Sequence, residues 1–400
     1  MDIYKRLQTA TETTLQCVDM HTTGESVRIV LRGIPEIQAT PLLEQQQIFK
    51  SDALDRIRRQ LMREPRGHKE MFGVVLRPKT ERTASGEADM GCLFMHHSGY
   101  EDMCGHSTVA LGRFLVDTWD EDVFPGRRKL VFDAERKLTI LRLHVPAGIV
   151  RVEVPSTDDG RAVDTSRKIA FFSVPSFATA IELQIDIPSE MQQESHEGVL
   201  VDISYGGNFF VVVQAANLGF PDGLKDVDLV QLDCAAKALK DLIIAGPQYR
   251  GYFKKPDEDV VSERQFSVIV VHRDPAGNCT PEKGTDGSEM GICFFGNQQI
   301  DRSPTGSSVA ARMALAHARK QRKLAQKWTY HSLVSASHGQ GAFVAEVAEE
   351  IEVRGAGNGR GVVVRIEGEA FYTGSVSFVI EAGDQISREG FYLDELPSRI

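Results

Sequence analysis

Short apolar runs recur along the chain and predict β-strands. Four of the clearest are rich in Val, Ile and Leu and lie between Gly, Pro or Asp residues. Runs of this length and composition, closed by turn-forming residues, are typical of strands. They cover residues 27–31, 138–143, 266–271 and 361–366.

Segments with helical periodicity are fewer, so the pattern as a whole predicts an α+β fold. Helices are predicted at 51–63 and 229–244. Two further segments start near Ser107 and Ser307 and run into small and apolar residues at 109–116 and 309–318. A helix that is apolar on most sides is buried, so we expect both to lie in a core.

These two segments resemble each other. From Cys104 the chain reads C-G-H-S-T-V-A-L, and from Thr305 it reads T-G-S-S-V-A-A-R, with Gly and Ser at the second and fourth places of both. An acidic residue precedes each segment, Asp102 in one and Asp301 in the other. The simplest explanation of the likeness is a duplicated half with one buried helix. The N-termini of the two helices would then face a shared cleft. Chance matching of the letters is the alternative.

The start of each segment is a candidate anion site. The first turn of a helix leaves backbone N–H groups without an intrahelical acceptor, at the positive end of the helix dipole. We therefore expect the amides of Gly105, His106, Gly306 and Ser307 to bind a carboxylate.

Cys104 stands at the mouth of the first of these turns, where a thiol carries more thiolate. A thiolate beside a carboxylate site could remove the weakly acidic proton of an α-carbon. The competing interpretation is a small buried hydrophobe, the common fate of a free cysteine. We assign that role instead to Cys17, Cys92, Cys234, Cys279 and Cys293.

Composition and charge exclude several other classes of function. A net charge of −10 argues against nucleic-acid binding, and we interpret the short basic run at 319–323 as the solvated end of a helix. There is no P-loop and no G-x-G-x-x-G, so no nucleotide or organic cofactor is expected. The cysteines are scattered and no H-E-x-x-H is present, so we expect no metal, with a site at His96, His97 and His106 as the remaining alternative.

The chain has no apolar stretch of membrane-spanning length, and residues 1–6 lack the apolar core of a signal peptide. We therefore expect a cytoplasmic protein without a membrane partner. The terminal Ser398-Arg399-Ile400 departs at two of three positions from a peroxisomal signal. The sequence leaves open whether the chain forms a homodimer.

Two motifs resemble those of the proline racemase superfamily. The segment Asp102-Met103-Cys104-Gly105-His106-Ser107-Thr108 resembles the first catalytic motif of proline racemases and hydroxyproline epimerases, and Asp301-Arg302-Ser303-Pro304-Thr305-Gly306 resembles the second. Further similar blocks, in the family's order, are found at residues 19–25, 63–68, 146–148, 174–177, 205–209 and 372–374.

The resemblance implies a diaminopimelate-epimerase-like fold. Such a fold has two pseudo-symmetric domains, each a β-sheet wrapped around a central helix, with the active site in the cleft between them. We expect the halves at 1–175, which carries Cys104, and 176–375, which carries Thr305. Residues 376–400 are then expected to pack back on the first domain.

The resemblance also implies an activity on imino acids. Racemases and epimerases of the family place one cysteine in each motif, but here Thr305 replaces the second, and its hydroxyl is too weak an acid to supply a base unaided. The Cys/Thr pairing is similar to that of family members that dehydrate trans-3-hydroxy-L-proline. We therefore expect Cys104 to take the α-proton and Asp301 to receive the ring nitrogen of the substrate. A racemase or epimerase, or a non-catalytic imino-acid binding protein, remains the alternative.

Overall fold

The computed structural model describes residues 14–38, 41–186, 198–255, 266–272, 279–353, 359–381 and 383–393. Residues 1–6 and the terminal tripeptide 398–400, both considered above, lie outside the described residues. Within the described ranges, no helix combines the length and the apolar character needed to cross a membrane.

The strands are mostly short. In chain order they are β1 Thr14–Thr22, β2 Glu25–Arg32, β3 Phe72–Arg77, β4 Met90–His96, β5 Tyr100–Glu101, β6 Val131–Asp133, β7 Leu138–Val145, β8 Gly148–Pro155, β9 Ile169–Phe172, β10 Phe177–Asp186, β11 Gly198–Tyr205, β12 Phe209–Gln214, β13 Phe266–His272, β14 Ser288–Phe295, β15 Gln299–Ile300, β16 Trp328–His331, β17 Phe343–Glu352, β18 Arg360–Gly368 and β19 Phe371–Val379.

The helices occupy fewer residues than the strands. They are α1 Leu42–Phe49, α2 Asp52–Met62, α3 Glu81–Ala84, α4 Gly105–Asp117, α5 Leu229–Ala245, α6 Gly306–Ala318, α7 Leu333–His338 and α8 Gln385–Glu389, with 3₁₀ turns at Arg127–Lys129, Ala215–Leu218 and Pro247–Phe253. The predicted α+β class is confirmed. The four predicted strands correspond to β2, β7, β13 and β18, and the predicted helices to α2, α5, α4 and α6.

The described residues form two compact units. Those up to Phe171, together with those from Glu369 onward, make the first unit, and Phe172–Gly368 makes the second. The chain therefore leaves the first unit at the last residue of β9, builds the whole second unit, and returns to supply β19 and α8.

The first unit is a mixed sheet with the strand order β19-β1-β2-β3-β4-β7-β8-β9. The neighbours β2 and β3 pair parallel, as do β4 and β7, and the other five neighbouring pairs are antiparallel. The short β5 pairs with β4, and β6 pairs with β7.

The second unit repeats this topology. Its order is β10-β11-β12-β13-β14-β16-β17-β18, and its seven pairings have the same sequence of directions. The short β15 pairs with β14 as β5 pairs with β4. The duplication expected from the two similar segments is therefore confirmed by the strand pairing.

One helix is buried against the sheet of each unit. Helix α4 contacts β1, β2, β3 and β8, whereas α6 contacts β10, β11, β12, β17 and β18. Both helices are 13 residues long, and most of their side chains are buried, as the apolar pattern predicted. Because strands from both ends of the sheet order reach the helix in the second unit, that sheet curves around α6.

One sequence-based expectation is wrong, and a second holds only in part. Cys234 is exposed rather than buried, because α5 buries Leu232, Ala236, Leu239 and Ile243, and residue 234 falls on its opposite face. The basic run at 319–323 does follow a helix end, but Arg322 is buried, with its guanidinium 3.3 Å from the centroid of the Trp328 ring.

Gly206 sits where the β11–β12 turn approaches α6. A Cβ at this position would lie 2.2 Å from the carbonyl oxygen of Ser307 and 2.6 Å from the amide nitrogen of Ala311. We expect Gly206→Ala to lower the free energy of unfolding by about 2 kcal/mol, since both clashing atoms belong to a buried backbone. Urea unfolding checks this, with Gly251→Ala as control, because a Cβ at that position would meet no heavy atom within 4 Å beyond its chain neighbours. Equal stability of the two variants would contradict the prediction.

The buried thiols should be inert to alkylation. Burial raises the pKa of the Cys17 thiol to about 12, and burial also raises the pKa of the Cys92 thiol. Each shift favours the neutral thiol, so both side chains are protonated at pH 8 and neither is a nucleophile. We expect iodoacetamide to label the exposed Cys234 and leave Cys17 and Cys92 unmodified, as measured by peptide mass spectrometry. The Cys234→Ser variant is the control.

Candidate active site

The first half-site is built where β5 runs into α4. The backbone N–H of Ala147 donates to the carbonyl of Asp102 at 3.1 Å, which ties this connection to the β7–β8 turn. Cys104 is the N-cap residue of α4. Its carbonyl accepts the N–H and the hydroxyl of Thr108, at 3.0 and 2.8 Å, so the helix begins directly at the cysteine.

The sulfur of Cys104 lies in a buried polar pocket. The thiol donates to Ser107 Oγ at 3.0 Å, and the ring of His106 is 3.5 Å away at Nε2. Cys104 is 3% exposed and His106 is 2% exposed. The structure thus brings together the two residues that the sequence singled out, and adds Ser107, which was quoted in the motif but given no role.

His106 is held from two sides. The Thr22 hydroxyl donates to its carbonyl at 3.0 Å, from the end of β1. The ring of Phe72 meets the imidazole edge-on, with 4.5 Å between ring centroids. These contacts connect the first turn of α4 to the β1–β2 hairpin and to β3.

The second half-site is built at the corresponding place in the other unit, where β15 runs into α6. Thr305 is the N-cap residue of α6 and has left-handed backbone angles, φ 59° and ψ 88°. A β-branched residue rarely adopts this conformation, and such strain is found chiefly at functional sites. Its amide is fixed by an N–H donated to Ser303 Oγ at 3.1 Å.

Asp301 orients the Thr305 hydroxyl. Thr305 Oγ1 donates to Asp301 Oδ2 at 2.7 Å, and the backbone N–H of Ser303 donates to Asp301 Oδ1 at 2.7 Å. The carboxylate is buried, at 5% exposure. Because the hydroxyl proton is directed at Asp301, the oxygen of Thr305 can accept a further hydrogen bond but has no proton to donate in this geometry.

An ion pair that sequence reasoning missed supports the start of α6. Arg312 Nη2 donates to the carbonyl of Pro304 at 3.1 Å, and Nη1 donates to Glu289 Oε1 at 3.1 Å, with both side chains buried. Arg312 stands among small and apolar residues in the middle of α6. This charged residue could have indicated an ion pair from the sequence alone, because a buried guanidinium requires a partner.

The remaining predicted residues occupy the first turns of the two helices. Gly105 and His106 begin α4, Gly306 and Ser307 begin α6, and all four are buried. Helix geometry leaves the amides of a first turn without an i−4 acceptor, which is the arrangement that an anion site requires. Their role in carboxylate binding stays a prediction.

The histidines of the alternative metal site are His96, His97 and His106, and the absence of a metal stays a prediction. In the described part of the chain, no three His, Cys, Asp or Glu side chains lie close enough together to hold a metal ion. Burial, followed by the charge of Arg58, lowers the pKa of His97 to about 4, and burial also lowers the pKa of His96. Both imidazoles are therefore neutral at pH 7.

Comparison with known proteins gives the same family as the motifs. The chain is 36% identical over 380 residues to the trans-3-hydroxy-L-proline dehydratase of Homo sapiens, covering 95% of this chain and 94% of the relative. It is 30% identical over 379 residues to the proline racemase of Clostridioides difficile, covering 95% and 98%. A solved structure of a hydroxyproline epimerase from Agrobacterium vitis shares the fold, with a TM-score of 0.75, 21% identity and 96% coverage of both chains.

The family profile described as proline racemase matches residues 17–392, a range that contains both half-sites. Full-length similarity of this kind agrees with the repeated sheet topology and with the Cys104 and Thr305 helix starts. The chain belongs to the proline racemase family.

Proposed function

We propose that this protein dehydrates trans-3-hydroxy-L-proline to a pyrroline-2-carboxylate and water, without a cofactor. The observation that carries the proposal is the unequal pair of helix N-caps, Cys104 on α4 and Thr305 on α6. Relatives named as dehydratases of this substrate, 34% to 36% identical over nearly the whole chain, support it further.

In the proposed complex, one imino acid is held by residues of both units. The substrate carboxylate accepts hydrogen bonds from the first-turn amides of Gly105, His106, Gly306 and Ser307, where the helix dipoles also favour a negative charge. The ring ammonium pairs with Asp301, a buried carboxylate that can offset the cost of removing the cation from water.

Cys104 is the proposed base. Its thiolate is stabilised by the N-terminal end of α4, and the Ser107 hydroxyl at 3.0 Å can turn to donate to it. The pocket is nearly closed to solvent, which strengthens both effects. A sulfur base at this position requires no metal and no organic group.

The proposed reaction has two steps that balance. First, the Cα–H bond breaks, the proton forms the S–H bond of Cys104, and the electron pair delocalises into the substrate carboxylate as an enolate-like anion. That electron pair then forms the π bond of a double bond between Cα and C3, while the C3–O bond breaks and the oxygen leaves as water. The leaving group takes its proton from Cys104 or from His106, and in the first case the thiolate is restored directly.

Stereochemistry explains why one base is sufficient. In trans-3-hydroxy-L-proline the 3-hydroxyl is trans to the carboxylate and so lies on the same ring face as the α-proton. Cys104 can then serve both steps from one side. Thr305, with its hydroxyl bonded to Asp301, need only accept a hydrogen bond or fill space on the other side.

Location and assembly also belong to the proposal. All six cysteines are free thiols, and the proposed base must be reduced, which favours a reducing compartment such as the cytoplasm. A homodimer stays a prediction that light scattering of the purified chain would test.

The proposal predicts loss of the substrate's proton signals. We expect trans-3-hydroxy-L-proline in deuterated water, with protein treated with chelator, to lose its α-proton and C3–H resonances in proton NMR as the pyrroline-2-carboxylate forms. The Cys104→Ser variant should be slower by on the order of 10³-fold, because a serine hydroxyl is a far weaker acid than a thiol. Cys234→Ser, the same change at an exposed thiol, is the matched control. Full activity of Cys104→Ser would refute the mechanism, and α-exchange without water loss would favour an epimerase.

Thr305→Cys should add a base opposite Cys104. We expect this variant, unlike the wild type, to exchange the α-proton of L-proline for deuterium with inversion, since L-proline has no 3-hydroxyl to lose. Thr305→Ser keeps a hydroxyl able to bond Asp301 and is the control. NMR with a chiral derivative of the recovered proline measures the inversion. Inversion by the wild type would show that it already has a second base.

A further inference from the structure

The second unit contains a cavity at the end of α6 opposite to Thr305. It has a volume of about 490 Å³ and is bounded by the last turn of α6, the start of β10, the chain after α6, and parts of β17 and β18. At 1.5 Å per residue, the 13 residues of α6 separate it from the helix start by roughly 18 Å. We call it the α6 cavity.

Comparison with the first unit shows why this space is open. Helices α4 and α6 have equal length and equivalent N-caps, so positions along them can be matched directly. Arg113 and Asp117 of α4 correspond to Ala314 and Ala318 of α6. Both alanines line the α6 cavity.

The strands that cover these helices match in the same way. Strand β19 has Phe371 stacked on His21 and an irregularity in its pairing with β1 directly after Tyr372. Strand β10 has Phe177 stacked on Tyr205 and an irregularity directly after Ala178. Tyr372 therefore corresponds to Ala178, the third alanine of the cavity wall.

In the first unit, large side chains occupy the corresponding space. The Tyr372 hydroxyl donates to Asp117 Oδ2 at 3.0 Å, and the Arg113 guanidinium lies 4.7 Å from the centroid of the Tyr372 ring. In the second unit three alanines replace these three side chains. The same place in the fold is thus filled by side chains in the first unit and open in the second unit.

The lining of the α6 cavity is strongly cationic. Among the described residues that line it, four are basic, Lys320, Arg322, Lys323 and Arg360, and one is acidic, Glu350. The whole chain carries a net charge of −10, so the excess of cations is local. Such an excess concentrates small anions.

Satisfying the carbonyl groups at the end of the helix does not account for Lys320 and Lys323. The backbone N–H of Lys320 donates to the carbonyl of His317, and that of Gln321 to the carbonyl of Ala316, each at 2.8 Å. The last turn is therefore capped by the backbone itself. The Glu350 carboxylate lies 3.0 Å from His317 Nε2, so it too is engaged within the wall.

We propose that the α6 cavity, opened by three alanines and lined by four cations, binds a small phosphorylated molecule. A phosphoryl group carries nearly two negative charges at pH 7 and is bound well by lysine and arginine. The volume lies in the range of small-molecule sites. This site is independent of the proposed dehydratase reaction, because it includes neither N-cap residue.

Inorganic pyrophosphate is the probe for the test, measured by isothermal titration calorimetry on the full chain. We expect saturable binding of about one pyrophosphate per chain. The double variant Lys320→Gln/Lys323→Gln removes two charge-assisted contacts and should weaken binding at least about tenfold. The matched control, Lys79→Gln/Lys237→Gln, removes two exposed lysines elsewhere, so binding should stay within about twofold.

A second variant tests the cavity rather than the charge. Ala178→Tyr introduces the side chain that fills the same place in the first unit, and should abolish binding while leaving all four cations in place. If this variant does not fold, as judged by circular dichroism, the lysine variants carry the test. The proposal is overturned by absence of saturable binding, by equal losses in the two double variants, or by full binding in a folded Ala178→Tyr protein.

Discussion

Burial of one helix in each unit is the constraint on which the rest of the architecture depends. Helices α4 and α6 are apolar on most sides, and their sheets supply contacts from strands well separated in the sheet order. A helix held in this way has little freedom to shift, so the position of its first turn is set by the packing of its whole length. That packing therefore sets the positions of Cys104 and Thr305. The hairpins at Thr22 and Gly206 add contacts at the same helix ends.

The two units share a topology but not a chemistry. One N-cap is a cysteine in an extended conformation, with a histidine ring and a serine hydroxyl around its sulfur. The other is a threonine in a left-handed conformation, with its hydroxyl committed to a carboxylate. A symmetric pair of bases suits a reaction that inverts a carbon, whereas one base and one bound hydroxyl suit an elimination on a single ring face. The difference between the two halves therefore carries more information about the reaction than their likeness.

Much of this could be predicted from the sequence because it depends on local patterns. The two buried helices follow from their apolar residues, and the duplication follows from Gly and Ser at matching places after Cys104 and Thr305. The hydrogen bond between Thr305 and Asp301 could not be predicted, since it depends on the left-handed backbone conformation of Thr305 itself. The pair of Arg312 with Glu289 depends on which strand lies beside α6. Cys234 and Arg322 were misassigned for a similar reason, because helix phase and a stacking partner decide their burial.

The return of the chain to the first unit has a consequence for its synthesis. The second unit is continuous in sequence, whereas the first lacks an edge strand until β19 has been made. Tyr372, which bonds Asp117 at the end of α4, arrives with that strand. On the ribosome the half that is translated first is thus the last to be completed, and the cysteine-bearing helix gains its final cover only after the threonine-bearing half has been synthesised in full.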